Sequence, residues 1–497
     1  MTPRLTLINR DYTRLWFGQA VSSLGDIVFS TTLVLWVATV LARDETWAPA
    51  AVSGVLLAAG VAVLFVGPIA GVFVDRWDKR RTMLATEVVR GGLVALLTAV
   101  SFLPAGTLPV GVWLALIYTT VLVLNAAARF FAPARFTVIA DVVTGDADRA
   151  RAAGITQATS QTVLIVGPPL AAPLLFTVGL QWALLFNALS YLVSYLAIRA
   201  VRVPVPVSTP EARPAEEGGT EEPTGRRAEG RAGVLPEFMA GLRFFARSSF
   251  LVALLVIVVI GQFGVGALNT LNIFFITENL DASARLYGYV GMAIGVGGII
   301  GALCAGRVVQ WIGARRTVWV GLLVSGVLLV AYSRQTGFLG GAALLVLFTI
   351  PVTMLNTATA PLLLAAAPAA YRGRVYSVFQ PVTQLALVLS AALSGWLVGS
   401  VLLDFEASVA GVRFGPIDTI FAASGLIIVL SGVYARKTLP HAATAEAGEA
   451  AGTKGEATAD GTAGTAGQAG KRTRKEAGGG EVVAHRTAEE EEGTATP

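Results

Sequence analysis

The chain contains the stretch Gly71-Val72-Phe73-Val74-Asp75-Arg76-Trp77-Asp78-Lys79-Arg80-Arg81, in which an apolar run ends in a cluster of charges. A related stretch follows at a constant offset of 235 residues, from position 71 to position 306: Gly306-Arg307-Val308-Val309-Gln310-Trp311-Ile312-Gly313-Ala314-Arg315-Arg316. Each copy begins with glycine and ends in paired arginines. The repeat indicates two similar halves, a common plan of membrane proteins with a binding site at the interface between the halves.

Long stretches without charge surround both copies. Of the 497 residues, 54% are hydrophobic and 14% are charged, whereas soluble domains carry roughly 25% charged residues. About 20 apolar residues cross a bilayer as a helix. The sequence therefore predicts an all-α membrane protein with twelve transmembrane helices in two six-helix, pseudo-symmetric halves. The predicted spans lie near 14–41, 48–73, 82–102, 110–131, 153–175, 181–199, 250–276, 286–306, 317–334, 338–367, 375–402 and 416–435.

Arginine and lysine are concentrated in the loops on one side of the predicted spans, and the short 76–81 loop alone holds four of them. Because basic loops stay in the cytoplasm, we expect a multi-pass protein of the cell membrane with both termini cytoplasmic. The two six-helix bundles are predicted at 1–202 and 236–437. Residues 203–235, rich in Pro, Glu and Gly, are predicted to be a disordered cytoplasmic linker. Residues 438–497, rich in Ala, Gly and Glu, are predicted to be a disordered cytoplasmic tail.

The first copy fits the pattern Gly-x3-Asp-Arg-x-(Gly)-(Arg/Lys)-Arg, with Asp78 at the usual glycine, and resembles the signature loop of the major facilitator superfamily. The second copy keeps Gly313 but has Gln310 in place of the acid. The resemblance covers residues 9–437 and implies the twelve-helix fold of that superfamily. Further stretches resemble its macrolide-efflux and enterobactin-exporter branch: Asn9-Arg10-Asp11-Tyr12, Pro133-Ala134-Arg135, Leu242-Arg243-Phe244 and Arg372-Gly373-Arg374-Val375.

In this superfamily the signature loops take part in conformational gating, and the resemblance implies the same role here. Asp75 is placed to cap the third span and to pair with cations when one side of the protein closes. Topology anchoring is the simpler alternative. The predicted gating residues are Gly71, Asp75, Arg76, Arg80, Gly306, Gly313 and Arg315.

Three charged residues lie inside predicted spans. Asp26 is the only charge between Arg14 and Arg43, and a mid-span carboxylate costs about 2.5–3.5 kcal/mol on insertion scales. We expect Asp26 to couple proton or substrate binding to transport, against the alternative of a structural acid bonded to a neighbouring helix. Glu87 and Arg90 lie one turn apart and share a helix face. They are predicted to be an internally neutralised pair and, with Asp26, are candidates for proton or substrate coupling. The resemblance implies a place in the gating network near the signature loop, and a static structural pair is the alternative.

Uncharged polar residues inside spans are candidates to line a cavity, although most such residues make interhelical hydrogen bonds. With so few intramembrane charges, a highly charged substrate would find no partner, and a hydrophobic or amphipathic compound fits better. The cavity candidates are Gln157, Gln161, Gln262, Asn269, Asn272, Asn356, Gln380 and Gln384.

Several function classes are disfavoured by residue usage. Both histidines, His441 and His485, lie in the tail, and Cys304 is the only cysteine, so the sequence predicts no enzyme, no metal site, no cofactor and no disulfide. The leading hypothesis is a proton-coupled exporter of a drug-like molecule or secondary metabolite, working by alternating access. The alternatives are an importer or uniporter of a small solute and a non-transporting membrane sensor or assembly protein. The expected partners are a small-molecule substrate, protons and the lipid bilayer, without nucleic acid, and the chain is expected to be a monomer.

Overall fold

The computed structural model of the protein describes residues 7–104, 106–201, 243, 245–366, 372–403, 405, 407–409 and 412–462. Among these residues, twelve helices are long and apolar enough to cross a membrane. The prediction of twelve transmembrane helices is therefore confirmed. The predicted linker 203–235 lies outside the described residues, as does the part of the predicted tail beyond 462.

Six helices precede the linker and six follow it. The first six are α1 (Arg10–Trp36), α2 (Ala48–Arg76), α3 (Lys79–Ser101), α4 (Val110–Val142), α5 (Asp146–Pro173) and α6 (Leu180–Ala200). The second six are α7 (Ser249–Phe274), α8 (Tyr287–Ile312), α9 (Ala314–Ser333), α10 (Phe338–Ala366), α11 (Arg372–Trp396) and α12 (Pro416–Thr462). Helices α1, α5, α7 and α11 each continue into one π-helical turn, at Val37–Leu41, Leu174–Val178, Phe275–Asn279 and Leu397–Val401.

Three features differ from the sequence prediction. Helix α4 runs to Val142 rather than ending near 131. A helix can continue past the hydrocarbon layer because long polar side chains, such as those of arginine, extend to the membrane surface. Helix α12 runs to Thr462 rather than ending near 435, since alanine and glutamate favour helix there. A short antiparallel hairpin, β1 (Ala407–Val409) and β2 (Val412–Phe414), joins α11 to α12.

Within each half the helices pack through small residues. In the first half α1 packs on α5 and α6, and α3 packs on α4 and α6. In the second half α7 packs on α11, and α10 packs on α8 and α9. At the crossing of α9 and α12, a Cβ on Gly326 would lie 2.7 Å from the Gly425 carbonyl oxygen. Only glycine permits this backbone approach, which is how small residues drive helix association in lipid.

The two halves meet along two helix pairs, α2 with α11 and α5 with α8. We call the bundle end where α1 begins the N-terminal face and the opposite end, where α1 ends, the distal face. In the first pair, Gly399 approaches Thr46 and Gly395 approaches Pro49; in the second, Gly288 approaches Pro168.

Further contacts reach mid-height, where a Cβ on Gly60 would overlap Val388 and one on Gly298 would lie 3.7 Å from Gln161 Nε2. Nearer the N-terminal face, Gly154 of α5 and Gly306 of α8 have open space around them. The halves are thus in contact from the distal face to mid-height and leave a cleft that opens to the N-terminal face.

A buried carboxylate fastens the distal end of the second half. Asp418, at the start of α12, accepts hydrogen bonds from Asn279 Nδ2 and from Arg334 Nη1, the latter at 3.3 Å. The Arg334 guanidinium also stacks over the Phe414 ring at 4.6 Å, which attaches the hairpin. One side chain therefore joins the ends of α7, α9 and α12.

We expect Asp418→Ala to lower the free energy of unfolding by about 1.5–3 kcal/mol, the range for hydrogen bonds to a charged group. Thermal unfolding of the purified protein in detergent measures the loss. The matched control is Arg43→Ala, in an ion pair whose side chains are 75% and 91% exposed, and it should leave the unfolding temperature unchanged. Equal shifts in the two variants would contradict a fastening role for Asp418.

Candidate functional site

A charged cluster lies at mid-height inside the first half, where α1, α3 and α6 meet. Arg90 Nη2 lies 2.6 Å from Asp26 Oδ2, and the Tyr191 hydroxyl donates a hydrogen bond to Asp26 Oδ1. The Arg90 guanidinium also stacks over the Tyr191 ring, 4.4 Å from its centroid. Both carboxylate oxygens of Asp26 are therefore occupied by partners from two other helices. This arrangement neutralises a carboxylate that would otherwise be costly in a membrane.

Glu87 belongs to the same cluster but is held differently. One carboxylate oxygen accepts a hydrogen bond of 2.7 Å from Ser194 Oγ. The other lies 4.0 Å from Arg90 Nη1 and, among the described residues, has no hydrogen-bond partner. Ser194 in turn accepts from Gln19 Nε2 at 2.9 Å. The predicted pairing of Glu87 with Arg90 is present, but the closer ion pair of Arg90 is with Asp26.

Exposure separates the two acids. The side chain of Asp26 is 36% exposed, whereas that of Glu87 is fully buried and that of Arg90 is 8% exposed. Of the two carboxylates, only that of Asp26 is accessible from outside the cluster. Arg90 lies between the two carboxylates, so a change at Asp26 alters the field at Glu87.

A small cavity with a mixed polar and apolar lining lies between α1, α4 and α5, on the N-terminal side of this cluster. It has a volume of about 30 Å³, which is room for a water molecule. Its wall from α1 includes Tyr12, Gln19 and Ser23, and Asp26 follows on the same helix face at helical spacing. Arg135 of α4 contributes a cation to the cavity and lies 3.5 Å from Gln19 Oε1.

Two pairs of the predicted cavity residues lie on helix faces turned toward the other half. On α5, Gln161 and Gln157 extend the face that touches α8 through Pro168, and Gln157 is exposed. On α11, Gln384 and Gln380 extend the face that touches α2 through Gly395. Gln161 still lies next to α8, since a Cβ on Gly298 would be 3.7 Å from its Nε2, and the faces continue from there toward the cleft.

The remaining cavity candidates divide into two groups. Asn272 is buried and accepts a hydrogen bond of 2.5 Å from the Tyr332 hydroxyl, so it joins α7 to α9 inside the second half. The prediction that Asn272 lines a cavity does not match this position. Its side chain is short enough to be enclosed, and buried amides in membranes pair across helices. Gln262 is half-buried, and Asn269 and Asn356 are exposed.

Arg80 and Arg315, the predicted gating residues with described side-chain contacts, each bind within their own half. Arg80 donates to the Arg199 carbonyl at 2.6 Å and so ties the start of α3 to the end of α6. Arg315 stacks over the Phe250 ring at 5.6 Å, within the second half. Gly313 has a φ of +83°, which explains glycine at this turn, and Gly306 has open space around it. Arg76 is exposed, and the surroundings of Gly71 and of the Asp75 side chain lie outside the described part of the structure.

Several members of the cluster were missed in the sequence. Tyr191 and Ser194 belong to α6 and reach Asp26 and Glu87 across helix interfaces. A tyrosine or serine inside an apolar span carries no distinctive pattern, so only the packing of α6 on α1 and α3 reveals them.

Arg129 lies well inside α4 rather than at its end, and its Nε is buried without a hydrogen-bond partner among the described atoms.

The sequence of this chain is similar to those of known proteins. A putative bacilysin exporter, BacE of Bacillus amyloliquefaciens, is 31% identical over 202 residues, which are 40% of this chain and 47% of that protein. Macrolide efflux protein A of Streptococcus pyogenes is 22% identical over 190 residues, which are 38% of this chain and 44% of that protein. The chain thus spans less than half the length of these relatives.

The fold itself is matched over a greater length. The crystal structure of the nucleoside transporter NupG superposes with a TM-score of 0.65 at 12% identity, covering 86% of this chain and 99% of that one. The profile described as Major Facilitator Superfamily matches residues 15–274 and 254–478. With that match over most of the sequence, twelve apolar helices and two repeated halves, this chain belongs to the major facilitator superfamily.

Proposed function

We propose that the protein is a proton-coupled exporter of a hydrophobic or amphipathic small molecule, working by alternating access. The observation that carries the proposal is the partly exposed Asp26, paired with Arg90 at mid-membrane. A carboxylate that pairs with a cation in one state and a proton in another can link proton binding to conformation. The export direction is supported by the two relatives, named as an exporter and an efflux protein.

The substrate class follows from the chemistry of the cleft. The residues that border it between the halves include the amides of Gln157, Gln161, Gln380 and Gln384, and the partly exposed acid of the site, Asp26, is already paired with Arg90. Amides supply hydrogen bonds without fixed charge, and apolar helix surface supplies the remaining contact. A large compound with an apolar body and a few polar groups fits this lining, such as a macrolide-like drug, a siderophore or another secondary metabolite.

The proposed orientation places the N-terminal face in the cytoplasm of a cell membrane, with both termini inside. The cleft then opens to the cytoplasm, the state from which an exporter collects its substrate. The loops Gly71–Arg81 and Gly306–Arg316 lie at this face and would close it when the halves rock together. The proposed functional unit is the monomer.

The test is transport by the purified protein in proteoliposomes with an imposed pH gradient. A panel of amphipathic compounds is offered, and substrate movement and internal pH are recorded together. We expect substrate and protons to move in opposite directions and an uncoupler to stop substrate accumulation. Movement in the same direction would identify an importer, and substrate movement independent of the gradient would identify a uniporter; either result overturns the proposal.

The contact between α5 and α8 at the distal face leads to a second prediction. A Cβ on Gly288 would overlap the Pro168 carbonyl oxygen, so Gly288→Val cannot keep α5 and α8 in contact. Overpacking of this kind costs about 1–3 kcal/mol. We expect a shift of about 5–150-fold toward the state with the distal face open, and a corresponding loss of transport.

Spin labels at Val40 and Val401, on the distal ends of α1 and α11, measure the shift in a Cys304→Ser background. Their distance distribution should move to longer values in Gly288→Val. The matched control is Gly92→Ala, because a Cβ at Gly92 meets nothing within 4 Å. An unchanged distribution in Gly288→Val would show that this contact does not hold the distal face closed.

A further inference from the structure

A lateral groove lies on the outer side of the first half, between α2 and α3. Helix α4 forms its floor, through Val123 and Ala126, and Val89 of α3 forms one wall. The groove has a volume of about 730 Å³. Helix α2 meets the other half through its opposite side, where it contacts α11. The groove is therefore separate from the cleft between the halves and faces the lipid.

The mouth of the groove lies at the N-terminal face, where α2 ends and α3 begins. Arg76 and Arg81 stand at this mouth, and both are exposed. Among the described side chains neither guanidinium forms an ion pair; the side chain of Asp75 is outside that description. Asp78 is the one described acid at the mouth, and it caps α3 by accepting from the Arg81 backbone N–H at 2.6 Å. The described charged residues of the lining, Arg76 and Arg81 against Asp78, thus sum to a net positive charge.

Aromatic rings shape the entrance below the charges. The Trp77 ring stacks on the Phe130 ring at 5.8 Å with an angle of 17° between the planes. The stacked rings border the entrance at the level where the helix ends enter the lipid headgroup region. Tryptophan is favoured at this level in membrane proteins. Below it the lining is apolar, from Val89 to Val123.

The second half contains the equivalent groove without the charges. It lies between α8 and α9 on a floor of α10, with a volume of about 420 Å³. Thr317, Val320 and Val324 line it at the positions that Thr82, Ala85 and Val89 hold in the first groove, each at the same offset as the sequence repeat. Its lining contains no charged residue among those described. The two grooves share their apolar body, but arginine belongs to the lining of the first groove only, among the described residues; Arg316, at the repeat position of Arg81, does not line the second groove.

We propose that the first groove is a binding site for an anionic phospholipid. The phosphate group lies against Arg76 and Arg81, and one acyl chain lies along Val89, Val123 and Ala126. Arginine forms strong bidentate hydrogen bonds with phosphate oxygens, and basic residues at the membrane surface attract anionic lipids. The equivalent groove of the second half accepts acyl chains without selecting a headgroup.

The experiment is native mass spectrometry of the purified full-length protein titrated with phosphatidylglycerol or with phosphatidylcholine of the same acyl chains. We expect tighter binding of phosphatidylglycerol to the wild type. Arg76→Gln and Arg81→Gln should each weaken its binding about fivefold and leave phosphatidylcholine binding unchanged. The matched control is Arg316→Gln, at the repeat position of Arg81, which should have no effect.

A second pair of variants tests the apolar part of the site. Val89→Trp should fill the first groove and weaken the binding of both lipids, whereas Val324→Trp, at the equivalent position in the second groove, should keep the preference for phosphatidylglycerol. Equal binding of the two lipids by the wild type, or equal effects of Arg81→Gln and Arg316→Gln, would overturn the proposal in favour of unselective surrounding lipid. Displacement of phosphatidylglycerol by millimolar inorganic phosphate would overturn it in favour of a free-anion site. Unchanged unfolding temperatures of the variants exclude misfolding as the cause.

Discussion

Replacing Arg90 by methionine is expected to lower the free energy of unfolding by about 3–5 kcal/mol, the typical cost of removing one partner from a buried ion pair. Arg90 is the only described cation within ion-pair distance of Asp26 and of Glu87, at 2.6 and 4.0 Å. Without it two acids face each other inside the membrane with no compensating charge. Thermal unfolding in detergent, together with the yield of inserted protein, measures the effect.

The loss arises from uncompensated charge rather than from lost packing, and a combined variant separates the two causes. Asp26→Asn with Glu87→Met and Arg90→Met removes every charge of the cluster, and apolar replacement of a buried ionic group is often neutral or stabilising. We therefore expect the triple variant to regain most of the stability that Arg90→Met loses. A triple variant as unstable as the single one would show that Arg90 acts through its packing on Tyr191 and Phe131.

The sequence was informative about the fold because membrane crossing depends on composition over about 20 residues at a time. It was less informative at helix ends. Arg129 and Arg135 interrupt the apolar run of α4, yet the helix continues to Val142, since backbone hydrogen bonding continues regardless of side-chain charge. The hairpin before α12 was not predicted either. Two strands of three residues give no periodic signal that distinguishes them from a loop.

The sequence predicted which charged residues belong to the site, but it did not predict which of them lie closest to each other. Asp26, Glu87 and Arg90 stand out because charge inside a span is rare. Helical spacing predicted the pairing of Glu87 with Arg90. The closer partner of Arg90 is Asp26, 64 residues earlier in the chain, and that pairing depends on how α1 and α3 pack with α6 between them. Spacing along one helix holds no information about this, so Tyr191 and Ser194 were missed for the same reason.

Replacing Asp26 by asparagine is expected to abolish proton-dependent efflux while the protein remains folded. Asparagine keeps an acceptor for the Tyr191 hydroxyl, and Arg90 retains Glu87 as a counter-ion, so the variant leaves one acid balanced by one base. What disappears is the one carboxylate of the cluster that reaches solvent. The measurement is accumulation of a transported compound in cells that carry wild type or Asp26→Asn, with and without an uncoupler. The variant should accumulate the compound as uncoupled wild-type cells do.

Glu87→Gln is the matched control, because it makes the same chemical change in a side chain of the same cluster that is fully buried. The new amide oxygen would still accept from Ser194, and Arg90 would still hold Asp26. If the proton enters and leaves through Asp26, Glu87→Gln retains most of the uncoupler-sensitive efflux. Full proton-dependent efflux in Asp26→Asn, with loss in Glu87→Gln, would assign the carrier role to Glu87 and require a path for protons into the closed interior of α3 and α6. The two variants thus test whether the proton is carried by the exposed acid, Asp26, or by the buried acid, Glu87, both of which pair with Arg90.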